Sequence, residues 1–262
     1  MAYARAIALF AVLMFFYAVV APLQWLALRR KWPLSLQIPG IFHRCLLAIL
    51  RIEVITHNWS AARPPKLIVA NHVSWTDICA LSTFAPVCFV AKREVGTWPV
   101  IATFARLQRT VFVDREQARS IIGANAAMVD RMRDNVGVVL FPEGTTYDGS
   151  ALGHFHSSHF AAPRDFLHRY ADVDTFLVQP VAVRYSHKHA AWYGDAALLP
   201  HLLELLKGPP IRCDIYFCDA IPMPRGADRK AIADACNKAI EAMLAPAGPP
   251  ASVTDRVTDH GG

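Results

Sequence analysis

Apolar positions along this 262-residue chain follow two patterns, and the first gives way to the second near residue 53. Residues 6–28 carry no charge and are almost wholly apolar. A helix needs about 20 such residues to cross a bilayer. Pro22 lies inside the run and is expected to kink a helix or break it into two. Residues 34–52 form a second apolar segment, interrupted by Pro39-Gly40. In it Leu46, Leu47, Leu50 and Ile52 stand against His43, Arg44 and Arg51. That pattern reads as a shorter amphipathic helix at a membrane interface, with an ordinary helix packed on a domain core as the alternative.

Beyond residue 53, short β-branched runs alternate with stretches of helical spacing. Strands are predicted at 66–70, 88–92, 110–114, 136–141, 176–185 and 212–218, and helices at 77–84, 99–107, 116–135 and 229–244. The alternation predicts an α/β fold: a mixed, mostly parallel sheet flanked by helices, behind an N-terminal apolar helical membrane anchor. The chain divides into a membrane-anchoring segment (1–52), an α/β domain (53–244) and a tail (245–262). Pro, Gly and Ser residues without periodicity make that tail an expected disordered segment. Pro180, inside the strand at 176–185, predicts an edge position or a bulge.

Charge sharpens this picture. The chain is 54% hydrophobic and only 18% charged, more apolar than an average soluble domain. Residues 1–65 hold seven bases (Arg5, Arg29, Arg30, Lys31, Arg44, Arg51, Arg63) against Glu53 alone, which accounts for the whole formal excess of +6. A basic, apolar segment suits an anionic bilayer. Nucleic acid fits poorly, because the bases are interleaved with apolar runs and not gathered on a polar face. Arg29-Arg30-Lys31 follow the apolar run where a signal peptide would carry its cleavage site, and they predict a cytoplasmic flank. The six cysteines (45, 79, 88, 213, 218, 236) include no C-x-x-C pair. They read as reduced, buried thiols.

Candidate chemistry gathers at predicted strand ends, where open α/β sheets build their sites. The first strand runs into Asn71-His72-Val73-Ser74-Trp75-Thr76-Asp77. A chain reversal there brings the Asp77 carboxylate to the His72 ring, orienting a general base. The pair alone is weak, since Asp77 also suits a helix N-terminus. A second strand ends in Asp114-Arg115, presenting a planar cation suited to an anionic head group, or a mere surface pair. A third runs into Phe141-Pro142-Glu143-Gly144-Thr145-Thr146, where Gly144 lets backbone approach a ligand and nearby N–H groups are able to hold phosphate or an oxyanion. Ser74 is no nucleophile elbow, and Cys79 and Cys88 have no histidine partner beyond His72. His154, His156 and His159 invite a metal reading, but their spacing does not place all three on one face.

Four blocks in this order and spacing resemble the glycerolipid acyltransferase family that includes 1-acylglycerol-3-phosphate acyltransferases. They are Asn71-His72 with Asp77, the strand ending at Arg115, Phe141 to Thr145, and Val178-x-Pro180-Val181. Lys92 matches a lysine common after the first block. The resemblance covers residues 65–185 and, through the anchor, the N-terminus. It implies direct transfer of an acyl group from acyl-CoA or acyl-ACP to a lysolipid hydroxyl, with no resident cofactor or metal. His72 is then the base and Asp77 its orienter, while Lys92, Arg115, Glu143, Gly144 and Thr145 bind substrate. The implied acceptor is 1-acylglycerol-3-phosphate, giving phosphatidic acid, at a bacterial inner membrane with the catalytic domain facing the cytoplasm. Two departures matter. Thr146 stands where the family often has Arg. Trp192-Tyr193-Gly194-Asp195, followed by Leu198-Leu199-Pro200-His201, resembles a bacterial branch that includes lyso-ornithine lipid acyltransferases, so that acceptor is the alternative. A catalytically silent membrane-binding module and a metal-dependent hydrolase are the readings from other classes.

Overall fold

The computed structural model describes residues 2–60, 66–114, 117–134 and 136–245, without the side chains of Ala118 and His159. Arg115 and the expected disordered tail beyond residue 245 lie outside that description.

The N-terminal helix is unbroken: α1 (Ala2–Phe15), a π-helical turn (Phe16–Val20) and α2 (Ala21–Arg29) run into one another. The expected break at Pro22 does not occur. Proline lacks an N–H and its ring crowds the carbonyl one turn back. Here the preceding turn is widened, with Ala21 N–H bonded to Phe16 O, and a π turn of this kind takes up the misfit. The 28 residues are long and apolar enough to cross a membrane. Yet the helix is tied to the rest of the chain near both ends. Arg5 donates to Ile49 O at 2.8 Å, Leu206 O at 2.5 Å and Leu205 O at 3.1 Å. Gln24 donates to Ser35 O at 2.9 Å and Leu107 O at 3.1 Å.

Helix α3 (Leu34–Leu50) passes through Pro39-Gly40 and stops at Arg51, whose φ of 59° is left-handed. Ile38, Phe42, Leu46, Leu47 and Leu50 are buried in the core. His43, expected on a polar face, is buried too, its Nε2 2.9 Å from Gln108 Oε1. Ile52 belongs to the next strand and not to this helix.

Among the described residues, eight strands form one sheet: β1 (Ile52–His57), β2 (Leu67–Ala70), β3 (Val87–Lys92), β4 (Val111–Val113), β5 (Gly137–Leu140), β6 (Thr175–Tyr185), β7 (Ile211–Phe217) and β8 (Ile221–Pro224). Their order is β1-β7-β6-β2-β5-β3-β4, with β8 also on β6. Strands β6, β2, β5, β3 and β4 are parallel; β7 and β8 run against β6, and β1 runs with β7. The connecting helices are α4 (Thr76–Leu81), α5 (Pro99–Leu107), α6 (Ala118–Arg133), α7 (Ala161–Arg169), α8 (Leu198–Lys207) and α9 (Arg229–Leu244).

Side chains alternate across the sheet, so each β2 residue chooses a face. Ile68 and Ala70 join a core with Phe16, Phe42, Leu50 and Leu205, while Leu67 and Val69 join a second with Met132, Phe160, Phe166 and Ile240. Both faces are covered, which is why the parallel strands read as continuous apolar runs.

Pro180 corrects an expectation. It lies within the interior strand β6, opposite Val69 of β2. Its carbonyl accepts from Cys218 N–H, so its nitrogen faces the same edge, at the gap between the end of β7 and the start of β8. No ladder donor is missed there.

Candidate active site

The carboxyl ends of β2, β3, β4, β5 and β6 share one edge of the sheet, and His72, Asp77, Lys92, Glu143, Gly144 and Thr145 are carried there. At the end of β2, Asn71 is buried and imitates a strand: its side chain donates to Val183 O at 3.0 Å and accepts from Val183 N–H at 2.7 Å. This ties the turn to β6 just before His72.

The turn then folds back over α4. His72 Nδ1 lies 2.8 Å from Asp77 Oδ2, which also accepts the N–H groups of Val73 at 2.7 Å and Ser74 at 2.9 Å. Asp77 Oδ1 accepts the Tyr185 hydroxyl at 2.7 Å, and Tyr185 in turn is 2.8 Å from Thr76 Oγ1. The Asp77 side chain is fully buried. An unpaired buried carboxylate costs several kcal/mol, and four donors offset that here. A carboxylate only accepts, so Nδ1 carries the ring proton and Nε2 presents a lone pair. The ring is 16% exposed and stacks on Phe141, 3.9 Å between centroids. The arrangement is able to accept a proton at Nε2 and hold the imidazolium against Asp77.

Glu143, at the end of β5, is placed differently from its expected head-group role. It is buried, and both oxygens are engaged by backbone: Oε2 by His72 N–H at 2.6 Å and Oε1 by Gly153 N–H at 2.7 Å. Burial raises its pKa, and those two bonds partly oppose the rise. Gly144 has φ +76°, which its turn requires, and its N–H bonds Phe141 O at 3.1 Å. Thr145 and Lys92 are exposed at this edge. Ser74 is fully buried. Burial pushes the Cys79 and Cys88 thiols up to about 12, so neither is a ready nucleophile.

His154 and His156 stand exposed with their rings edge to face. Among the described residues no group of three His, Cys, Asp or Glu side chains is placed to hold a metal. Two contributors escaped the sequence reading. Tyr185 is the last residue of β6, at the right edge, with only its strand position as a signal. His201 on α8 accepts Trp75 Nε1–H at its Nδ1, 3.0 Å away, and its Nε2 is 3.1 Å from His189 O. It was noticed only as part of a segment.

Comparison with known proteins then gives the geometry a context. The profile of the family described as Acyltransferase matches residues 51–184. A lyso-ornithine lipid O-acyltransferase of Rhizobium meliloti is 38% identical over 86% of this chain and 81% of its own. The enzyme of the same name from Brucella abortus is 34% identical over 85% and 87%. A 1-acyl-sn-glycerol-3-phosphate acyltransferase of Neisseria gonorrhoeae is 30% identical over 68% and 69%. The crystal structure of the 1-acyl-sn-glycerophosphate acyltransferase of Thermotoga maritima shares the fold, with a TM-score of 0.58 at 19% identity over 95% of this chain and all of that one.

Proposed function

The chain belongs to the acyltransferase family, and on that premise we propose that it transfers a fatty acyl group from an acyl thioester to the free hydroxyl of lyso-ornithine lipid. The observation that carries the acceptor is the extended similarity to enzymes of that name, over more than four fifths of their length. Thr146, uncharged beside the Glu143 turn, agrees with it. A second reading, 1-acylglycerol-3-phosphate, is favoured by the Neisseria relative.

In the proposed reaction His72 Nε2 takes the proton of the acceptor hydroxyl as its oxygen attacks the thioester carbonyl carbon. Asp77 stabilises the imidazolium. The tetrahedral intermediate collapses with cleavage of the C–S bond, and the leaving thiolate regains the proton from His72. No acyl-enzyme forms. Acyl-CoA or acyl-ACP supplies the thioester; Lys92 and Arg115 bind charged groups of the substrates.

The setting is the cytoplasmic face of the bacterial inner membrane. A helix tied to the domain by Arg5 near one end and Gln24 near the other lies along it. Its outer face exposes Ile7, Phe10, Met14, Phe15, Val19 and Leu23. Such a helix embeds in one leaflet, bringing the site to lipids that stay in the membrane.

The test is a parallel assay of the purified protein with both lysolipids and one thioester donor. Faster acylation of lyso-ornithine lipid supports the reading; turnover of 1-acylglycerol-3-phosphate alone contradicts it.

A further inference from the structure

Two loops close on consecutive carbonyls of the His72 turn. Tyr147 N–H donates to His72 O at 2.9 Å, and Trp192 N–H donates to Val73 O at 2.9 Å. The first loop carries Asp148, the residue after that bond. The second carries Lys188, four residues before its own. Both side chains are exposed. The first loop packs on the turn itself: Gly149 has φ +79°, and a Cβ there would lie 3.3 Å from Val73 Cγ1.

Asp148 is half-occupied. Its Oδ1 accepts Ser150 N–H at 2.9 Å and Ser150 Oγ–H at 2.6 Å. Its Oδ2 has no partner among the described residues. The two Ser150 bonds, and more weakly Lys188, hold the carboxyl below the usual range. Lys188 is thus within electrostatic reach of Asp148, yet among the described residues the two form no ion pair. One anion and one cation stand beside the His72 turn without neutralising each other.

We propose that Asp148 and Lys188 seat a zwitterionic amino-acid head group, Asp148 receiving its ammonium and Lys188 its carboxylate. This rests on the acyl-transfer reading above and adds the residues that choose the acceptor. An ornithine joined to lipid through one nitrogen keeps one ammonium and its carboxylate, so it matches both charges. A phosphomonoester brings negative charge alone. Asp148 repels it, Lys188 serves the anion of either acceptor, and Thr146 adds no second cation. Like-charge contacts discriminate against the wrong partner more than they strengthen the right one.

The experiment measures KM for lyso-ornithine lipid and for 1-acylglycerol-3-phosphate, in mixed micelles, with the full-length protein and its Asp148→Asn and Lys188→Gln variants. Both side chains are exposed, so the variants fold. The ratio of the two KM values, lyso-ornithine lipid over phosphate lipid, is expected to rise about tenfold in Asp148→Asn, and KM for lyso-ornithine lipid itself about tenfold in Lys188→Gln, an ordinary effect for loss of one charge-assisted contact. An unchanged ratio in Asp148→Asn, or an unchanged KM for lyso-ornithine lipid in Lys188→Gln, with the wild type active on lyso-ornithine lipid, overturns the seat and leaves the acyl-transfer reading standing. A wild type inactive on lyso-ornithine lipid overturns that acceptor, and the seat with it.

Discussion

Tyr185 donates its hydroxyl proton to Asp77 Oδ1 at 2.7 Å, across 108 residues of sequence. Among the described residues it is the one bond to that oxygen, while Oδ2 takes the other three. The last residue of β6 therefore orients the carboxylate that orients His72. In Tyr185→Phe a buried charge loses a donor, at a cost of about 1–3 kcal/mol. Thermal unfolding is expected several degrees lower, at about 2–4 °C per kcal/mol, and acyl transfer about tenfold slower. A variant with both unchanged would remove Tyr185 from the site.

Glu143 holds the His72 and Gly153 N–H groups with its two oxygens. Glu143→Gln keeps the shape but turns an NH2 group toward one of those donors. The loss is expected in kcat, about tenfold or more, because His72 shifts, while KM for the acceptor stays where it was. A raised KM at unchanged kcat would instead return Glu143 to head-group binding.

His43 makes an acid-sensitive joint between α3 and the core. Gln108 Nε2 donates to Ser82 Oγ and Val87 O, so Gln108 Oε1 accepts and His43 Nε2 donates. Burial lowers the His43 pKa from 6.5 to about 4. The unfolded chain then binds this proton at a pH where the folded chain does not. Stability contributed at neutral pH is lost as pH falls through 6.5 toward 4, by about 3 kcal/mol at 1.36 kcal/mol per unit. Denaturant unfolding in detergent from pH 7.5 to 4 should show His43→Gln less pH-dependent than the wild type. Equal slopes would refute this.

The anchor makes a topological prediction. If the N-terminal helix lies in one leaflet, cysteines introduced by Tyr3→Cys and Lys31→Cys react with an impermeant thiol reagent from the same, cytoplasmic side. Labelling from opposite sides would show a spanning helix.

Much of this was legible in the chain. The alternation of buried strands and helices was, because parallel strands covered on both faces become plain apolar runs such as 136–141. So was the His72/Asp77 contact, since five residues that reverse into a helix bring the two together. What escaped has physical reasons. Strand β1 is buried only at Ile52, is half-buried or exposed beyond it, and includes Glu53, Thr56 and His57, so it lacks the apolar run. Pro163 and Pro200 punctuate α7 and α8. Pro22 and Pro39 looked like breaks because the compensating backbone, a widened turn in the first case, leaves no mark in side-chain type. The backbone contacts of Glu143 with His72 and Gly153 left no mark either, because a carboxylate that binds backbone and one that binds a ligand are the same letter. Tyr185 joins Asp77 only through the register of β6, which no local pattern encodes.

The central claim is that His72 is the general base of a direct transfer. The most direct measurement is the rate of acylated-lysolipid formation by purified His72→Ala, alongside its unfolding temperature and an intact-mass search for acyl-enzyme. Asp77 keeps three of its donors in that variant, Val73 N–H, Ser74 N–H and the Tyr185 hydroxyl, so the fold persists. The prediction is a rate lower by about 100-fold or more, with cooperative unfolding retained and no acyl-enzyme in the wild type. A rate within a few-fold of wild type, or a covalent acyl adduct on the wild-type protein during turnover, would contradict it.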